Sequence, residues 1–313
     1  MRRLYCQIAN FLTCSFFQSQ GGSSFFSDRF GRSLAILSWW AFIIALVSGI
    51  VLSFNYRPWG NVYLALSKLT YQFPYGIFFR KLHYLSGQCF LLFALAHMSE
   101  HFLRRTFLHM KPIEWLRLVS AFFLSFPLVF TGFILKGDKE GIFAGEVMVN
   151  LAREIPIVGA GLAMLLLKPG EDFFLRPYLH HTVTLPLLVI FLLGGHRRRL
   201  FLEKGLGLLL LVILGVLTFF YQLPPDIPPR AEIAGITGPW FFHGIQLLLR
   251  YGSPLMVGIL WPMTPISFML ALAFPLVSSF RQFWILTGIL WVIHLIVLCV
   301  AWFLLPILAG VSG

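Results

Sequence analysis

Apolar residues in this chain come in runs far longer than a helix of a soluble domain requires. Stretches near 34–54, 82–103, 115–135, 178–195, 205–221, 254–276 and 283–305 are each long enough to cross about 30 Å of hydrocarbon as a helix. The pattern predicts an all-α integral membrane protein with about seven transmembrane helices. Residues 141–168 are also apolar, but Glu146, Arg153, Glu154 and Pro156 interrupt them, which suits a hairpin of short helices at a membrane face. The segment 223–239 carries the pairs Pro224-Pro225 and Pro228-Pro229 and ends at Pro239. Its ring constraints predict an extended, exposed loop. Residues 1–17 have an early arginine pair and polar interruptions at Gln7 and Asn10, and read as a retained surface helix rather than a signal peptide.

Composition agrees with the pattern. The chain is 58% hydrophobic, 17% aromatic and 12% charged, whereas a soluble domain carries about 25% charged residues. The net charge of +12 is explained by orientation in a membrane, without nucleic acid as a partner. With the N-terminus placed in the cytoplasm, that side carries 13 Lys/Arg and 4 Asp/Glu, or +9, and the other side 24 − 13 = 11 and 12 − 4 = 8, or +3. Arg104-Arg105 and Arg197-Arg198-Arg199 sit at span ends, where positive charge fixes the cytoplasmic side most strongly. Seven spans then leave the C-terminus outside. Cys6, Cys14, Cys89 and Cys299 are scattered and form no C-x-x-C-H haem attachment site.

The candidate chemistry lies in four histidines. The second span carries His83 and His97, and the fourth carries His181 and His196. Steps of fourteen and fifteen residues at about 100° each return to within roughly 40° and 60° of the starting face, so each pair lies on one side of its helix. Within a pair the residues are about 21–22 Å apart along the axis. The helices run antiparallel, so His83 meets His181 near the outer face and His97 meets His196 near the cytoplasmic face. Two such cross-helix pairs are what bis-histidine ligation of two b-type haems requires. A proton relay or ordinary core hydrogen bonding would explain one pair equally well. Matched spacing in two pairs favours ligation. His180 is a rival to His181, but lies on the face opposite His196. His101, His109, His243 and His294 have no partner at matching depth and stay unassigned. Gly87 and Gly132 offer room for a flat porphyrin or, equally, for close helix packing. Arg80 suits either a haem propionate or a helix-end anchor.

With these residues on the page, the sequence resembles the cytochrome b family of respiratory and photosynthetic quinol-oxidising complexes. It is most similar to the chloroplast-type branch, in which a four-span haem subunit works with a three-span companion. The carriers are Phe54-Asn55-Tyr56-Arg57-Pro58, Arg80-Lys81-Leu82-His83 with His97 at +14, Lys111-Pro112, Glu154-Ile155-Pro156-Ile157-Val158-Gly159, and His180-His181-Thr182-Val183-Thr184-Leu185-Pro186 with His196 at +15. The resemblance covers about residues 30 to 280. It implies a cytoplasmic surface segment (1–32), a four-span di-haem domain (33–200) and a three-span domain (201–313) fused into one chain.

The family's quinol-oxidation motif, Pro-Glu-Trp-Tyr followed by Phe, falls on Gly238-Pro239-Trp240-Phe241-Phe242. Trp240, Phe241 and Phe242 keep the aromatic framework of a quinone pocket, but Pro239 replaces the proton-accepting glutamate. Leu-Pro-Trp-Asp after the third span reads Leu135-Lys136-Gly137-Asp138. Glu100 stands where the family has the arginine three residues after the second ligand, with Arg104 as a substitute propionate partner. The cysteine for the branch's extra haem falls on Ser33, so that haem is expected to be absent.

The resemblance implies a membrane oxidoreductase subunit that works only within a complex in the energy-transducing inner (cytoplasmic) membrane. Its cofactors would be two haem b and a quinone, menaquinone or ubiquinone. Its partners would be a c-type cytochrome or an iron–sulfur protein at the outer face, together with lipid. The catalytic proton acceptor is unknown; Glu232 and Asp138 are the carboxylates nearest in sequence. Without one, quinone exchange is expected near the cytoplasmic face, where Arg29, Arg32, Arg104, His109 and Arg197 offer donors. Full bifurcating quinol oxidation at the outer face is the first competing reading. A haem-free proton-relay transporter is the second.

Overall fold

The computed structural model describes residues 24–308 except 168–169, 171, 195–202 and 233–234. The N-terminal surface helix, His196 and Arg197 lie outside the described residues. Those residues form helices and connecting loops, with no strand among them.

Helix α1 (Ser24–Ser53) leads through a loop to the short α2 (Val62–Tyr71), whose first turn is capped by Asn61 Oδ1 accepting from Leu64 N at 3.0 Å. Then come α3 (Gly76–Leu103) and α4 (Pro112–Ile134). Pro112 starts α4 because a first-turn residue needs no N–H partner and proline's φ is already helical. The interrupted segment forms two short helices, α5 (Lys139–Arg153) and α6 (Gly159–Leu166). Next follow α7 (Leu175–Leu193) and α8 (Lys204–Phe220). The proline-rich loop leads to α9 (His243–Leu248), α10 (Pro254–Ala271), the single turn α11 (Pro275–Ser278) and α12 (Arg281–Leu308).

Each of the seven apolar runs lies on a helix. Five of these helices, α1, α4, α7, α10 and α12, are long and apolar enough to cross a membrane by length and composition. Helix α3 is 28 residues long but carries Arg80, Lys81, Glu100 and three histidines. Helix α8 has 17 residues, or about 25 Å at 1.5 Å per residue.

Two apolar cores join the first four long helices to the last three. One gathers Trp39, Phe42, Phe90, Leu128 and Val189 with Leu210 and Leu214 of α8. The other gathers Met98, Trp115 and Phe122 with Met269 of α10 and Trp291 of α12. Trp115 is fully buried and donates from Nε1 to Met269 O at 2.7 Å. Trp115→Phe keeps most of the ring but strands that carbonyl, so it is expected to destabilise the fold by about 1–3 kcal/mol, read as a lower unfolding temperature in lipid or detergent.

Candidate functional site

His83 sits seven residues into α3 and His181 lies in α7. Around His181 the helix widens: residues 180–184 form a π-helical turn in which Leu185 N bonds to His180 O. Pro186 follows at once, and its missing N–H and ring bulk disfavour the regular bond to the carbonyl four residues back. This turn decides between the adjacent histidines. His181 faces α3 and α4, and its ring centre is 5.8 Å from that of His83, with the planes at 85°. His180 turns to α6, with Nε2 3.0 Å from Leu165 O.

Both facing rings are held from behind by carbonyls. His83 Nδ1 lies 2.8 Å from Ala45 O of α1, and His181 Nδ1 lies 2.8 Å from Leu128 O of α4. A carbonyl oxygen only accepts, so each Nδ1 carries the proton and each Nε2 keeps its lone pair. This is the arrangement in which imidazole binds a metal while its other nitrogen is fixed by the backbone. Two imidazoles trans to one metal have ring centres roughly 6 Å apart, from two metal–nitrogen bonds of about 2 Å each plus the ring radii. The observed separation fits.

Two glycines let the rings lie so close to their neighbours. A Cβ at Gly49 would stand 2.8 Å from His83 Cε1, and one at Gly132 would stand 2.5 Å from His181 Cε1. Gly87, one turn beyond His83, borders open space: an added Cβ meets nothing within 4 Å. Gly132→Ala is therefore expected to displace His181 and lower cofactor occupancy severalfold, while Gly87→Ala leaves the histidine pair in place; pigment quantification of the two variants checks this.

At the other end of α3, His97 lies beside Glu100 and His101. The His97 and His101 ring centres are 4.3 Å apart, and His97 Nδ1 is 3.8 Å from Glu100 Oε2. Arg104 pairs with Glu100 Oε1 at 2.9 Å. Arg29, Arg32 and His109 are exposed, and Arg32 pairs with Glu203.

The His83 end is built by ion pairs. Arg80 donates to Thr70 Oγ1 at 3.0 Å and pairs with Asp226 of the proline-rich loop at 2.6 Å. Asp138 is fully buried, accepts from Gly141 N at 2.8 Å as the cap of α5, and pairs with Lys136 at 2.7 Å. Burial works against the Lys136 ammonium, but Asp138 and Glu140 outweigh it and hold its pKa above the ordinary lysine value. Tyr56 donates to Leu135 O at 2.8 Å and stacks on Tyr178. Glu232 is exposed.

Trp240, Phe241 and Phe242 form a single tight turn that docks on α3 and α4. Trp240 Nε1 donates to Gln88 Oε1 at 2.6 Å, Phe241 packs against Phe126 and Phe130, and Phe242 against Phe130. Gln246 holds the turn from behind, accepting from Gly238 N and donating to Ile236 O, both at 2.8 Å.

A histidine pair across two helices, carbonyl-fixed and flanked by glycine, stands beside a docked aromatic turn. The sequence profile described as Cytochrome b/b6/petB matches residues 27–204, more than half the chain. The chain belongs to the cytochrome b/b6 family. Among its relatives, cytochrome b6 of Heliomicrobium gestii is 26% identical over 159 residues, 50% of this chain and 75% of that protein. Cytochrome b6 of Gracilaria tenuistipitata var. liui is 29% identical over 154 residues, 47% of this chain and 71% of that protein. A solved structure described as a hyperthermophilic respiratory Complex III superposes with a TM-score of 0.63 at 19% identity, covering 90% of this chain and 92% of that one. At that identity the likeness shows the shared fold.

Three residues with contacts in this region have no sequence signal strong enough to single them out. Gly49 is one glycine in an apolar run, and its role depends on α1 lying against His83. Gln88 is one polar residue in a long helix. His243 has no histidine partner at its depth, and its place behind the aromatic turn follows only from the fold.

Proposed function

We propose that this cytochrome b/b6 chain is the di-haem subunit of a membrane quinol/quinone oxidoreductase complex. It moves electrons across the membrane between a quinone and a redox-protein partner of the c-type cytochrome or iron–sulfur class. The observation that carries the reading is the His83–His181 pair, perpendicular, 5.8 Å apart and carbonyl-fixed at each Nδ1. His83 and His181 would hold the outer haem b through Nε2, with Gly49, Gly132 and Gly87 leaving room beside them. His97 and His196 would hold the inner one. Haem bound there would supply one-electron iron chemistry. The residues of the chain set the ligands' tautomer, exclude water and fix the distance between the two sites at about 21 Å along α3.

Arg80 is already engaged with Thr70 and Asp226. Its role in this reading is to fasten the outer loop over the haem pocket as well as to offer charge to a propionate. Glu100 and Arg104 form the corresponding pair at the inner end. On the charge distribution, the His83 end faces outward and the C-terminus lies outside. The loop 223–239 and the hairpin α5–α6 then form the outer docking surface for the partner.

Quinol oxidation at the outer face, with electrons divided between the haems and the partner, is favoured by the bond from Trp240 to Gln88, which ties the aromatic turn to the helix bearing His83. The alternative is a quinone site among the basic residues at the cytoplasmic face. Inhibitor titration of haem reduction by quinol, in the assembled complex, distinguishes them. Reduction blocked by compounds seated against Trp240 and Phe242 supports the outer site, and reduction blocked only from the cytoplasmic face supports the other. Quinol that reduces no haem from either side overturns the reading. The isolated chain, lacking its electron acceptor, is expected to turn over quinol at least a hundredfold more slowly than the complex with the same soluble acceptor; full rates from the chain alone would contradict the need for a partner.

A further inference from the structure

His243 opens α9 immediately behind Trp240, Phe241 and Phe242, and only 8% of its surface is exposed. Its Nε2 lies 2.8 Å from Gly238 O. The carbonyl can only accept, so Nε2 carries the ring proton and the neutral imidazole presents its lone pair at Nδ1. That Nδ1 is buried and has no hydrogen-bond partner. A buried acceptor left unmet calls for a donor, either a water or a ligand's hydroxyl.

The surroundings suit an aromatic ligand. The ring centre of Trp302, on α12, is 5.6 Å from that of His243 and 6.4 Å from that of Trp240. Trp302 is 48% exposed on a helix long and apolar enough to cross the membrane, so a lipid-soluble molecule meets it first. At Gly244, α9 packs on α12, where an added Cβ would meet Leu298 Cα at an ordinary contact distance of 3.5 Å. The two carboxylates expected from sequence are placed differently. Asp138 is enclosed by its cap bond and Lys136, and Glu232 is exposed on the loop.

We propose that His243 Nδ1 is the proton acceptor for the hydroxyl of an isoprenoid quinol that binds against Trp240 and Trp302, parting the edge contact between the two rings. The assignment rests on the quinone reading above and supplies the base that Pro239 does not. Oxidation of one quinol to quinone releases two protons and two electrons. The first proton passes from a quinol hydroxyl to His243 Nδ1, giving an imidazolium that discharges to the outer aqueous phase. The second proton leaves to the same phase from the other hydroxyl. The two electrons go to one-electron acceptors of the haem and iron–sulfur or c-type cytochrome classes. Burial lowers the His243 pKa, against the opposing effect of the bond to Gly238 O, and so keeps the ring neutral and able to accept.

The test compares His243→Asn, which removes the base, with His243→Asp, which restores one, in the assembled complex. Loss of a positioned base costs about 10²–10⁴ in rate. His243→Asn is therefore expected to slow quinol oxidation by that factor and to weaken a hydroxyquinone inhibitor, with haem content and the dithionite-reduced spectrum unchanged. His243→Asp is expected to recover most of the rate. Wild-type rate and wild-type inhibitor affinity in His243→Asn would overturn the proposal. If that variant fails to assemble, the wild-type complex with the hydroxyquinone bound decides: its hydroxyl within about 3.2 Å of Nδ1 supports the proposal, and an analogue seated elsewhere overturns it. A wild-type complex whose haems respond to dithionite but never to quinol fails at the quinone reading itself.

Discussion

Replacing His83 or His181 with alanine is expected to leave the chain with half its haem. Each ring is the one imidazole of its helix that faces the other ring, and each is oriented by one backbone carbonyl, Ala45 O or Leu128 O. Alanine would remove the proposed metal bond; Ser48, whose Oγ lies 3.4 Å from His83 Nδ1, already donates to Ile44 O at 2.7 Å. His97→Ala or His196→Ala is expected to remove the other haem. His180→Ala is expected to leave both, because His180 points toward Leu165. Pigment extraction with haem counting per chain gives the result directly. Haem lost in His180→Ala but retained in His181→Ala would reverse the ligand assignment.

Asp138→Ala is expected to be the most destabilising change away from the histidines. The carboxylate is fully buried and serves three groups at once: it caps α5 at Gly141 N, pairs with Lys136 and reaches Ile227 N at 3.4 Å in the proline-rich loop. Truncation leaves a largely buried ammonium with Glu140 alone, and strips the loop of one of its ties to the helices. Breaking a buried ion pair from one side costs about 3–5 kcal/mol. Asp138→Asn keeps an oxygen for the cap and is expected to cost less. Thermal unfolding in lipid nanodiscs measures both, and protease cutting within 223–232 should rise in step with the lost stability. A variant with wild-type melting and an uncut loop would show that Asp138 does not hold this end together.

The long helices were legible because spanning hydrocarbon demands continuous apolar sequence, and each of the seven runs became a helix. Helix α3 stood out least by hydropathy for a physical reason: its polar residues, from Arg80 to His101, lower its apolar character. The pairing of His83 with His181 was legible because helical spacing and antiparallel direction fix depth and face. The preference for His181 over His180 pointed to the ring that the structure brings to His83, although the spacing argument assumed a regular helix and the π-helical turn before Pro186 redirects both rings. Gly49 and Gln88 were not legible, since each acts only through a neighbour distant in sequence. His243 was visible as a residue, but its unmet Nδ1 depends on the bond its other nitrogen makes to Gly238 O, which no spacing rule reveals.

The measurement that bears most directly on the central claim is the reduced-minus-oxidised absorption spectrum of the purified chain, taken with haem counted per polypeptide. The expected result is a b-type difference spectrum with two haems per chain. A chain that folds and yet shows no haem absorption would contradict ligation by these histidines and return them to the competing role of a proton relay.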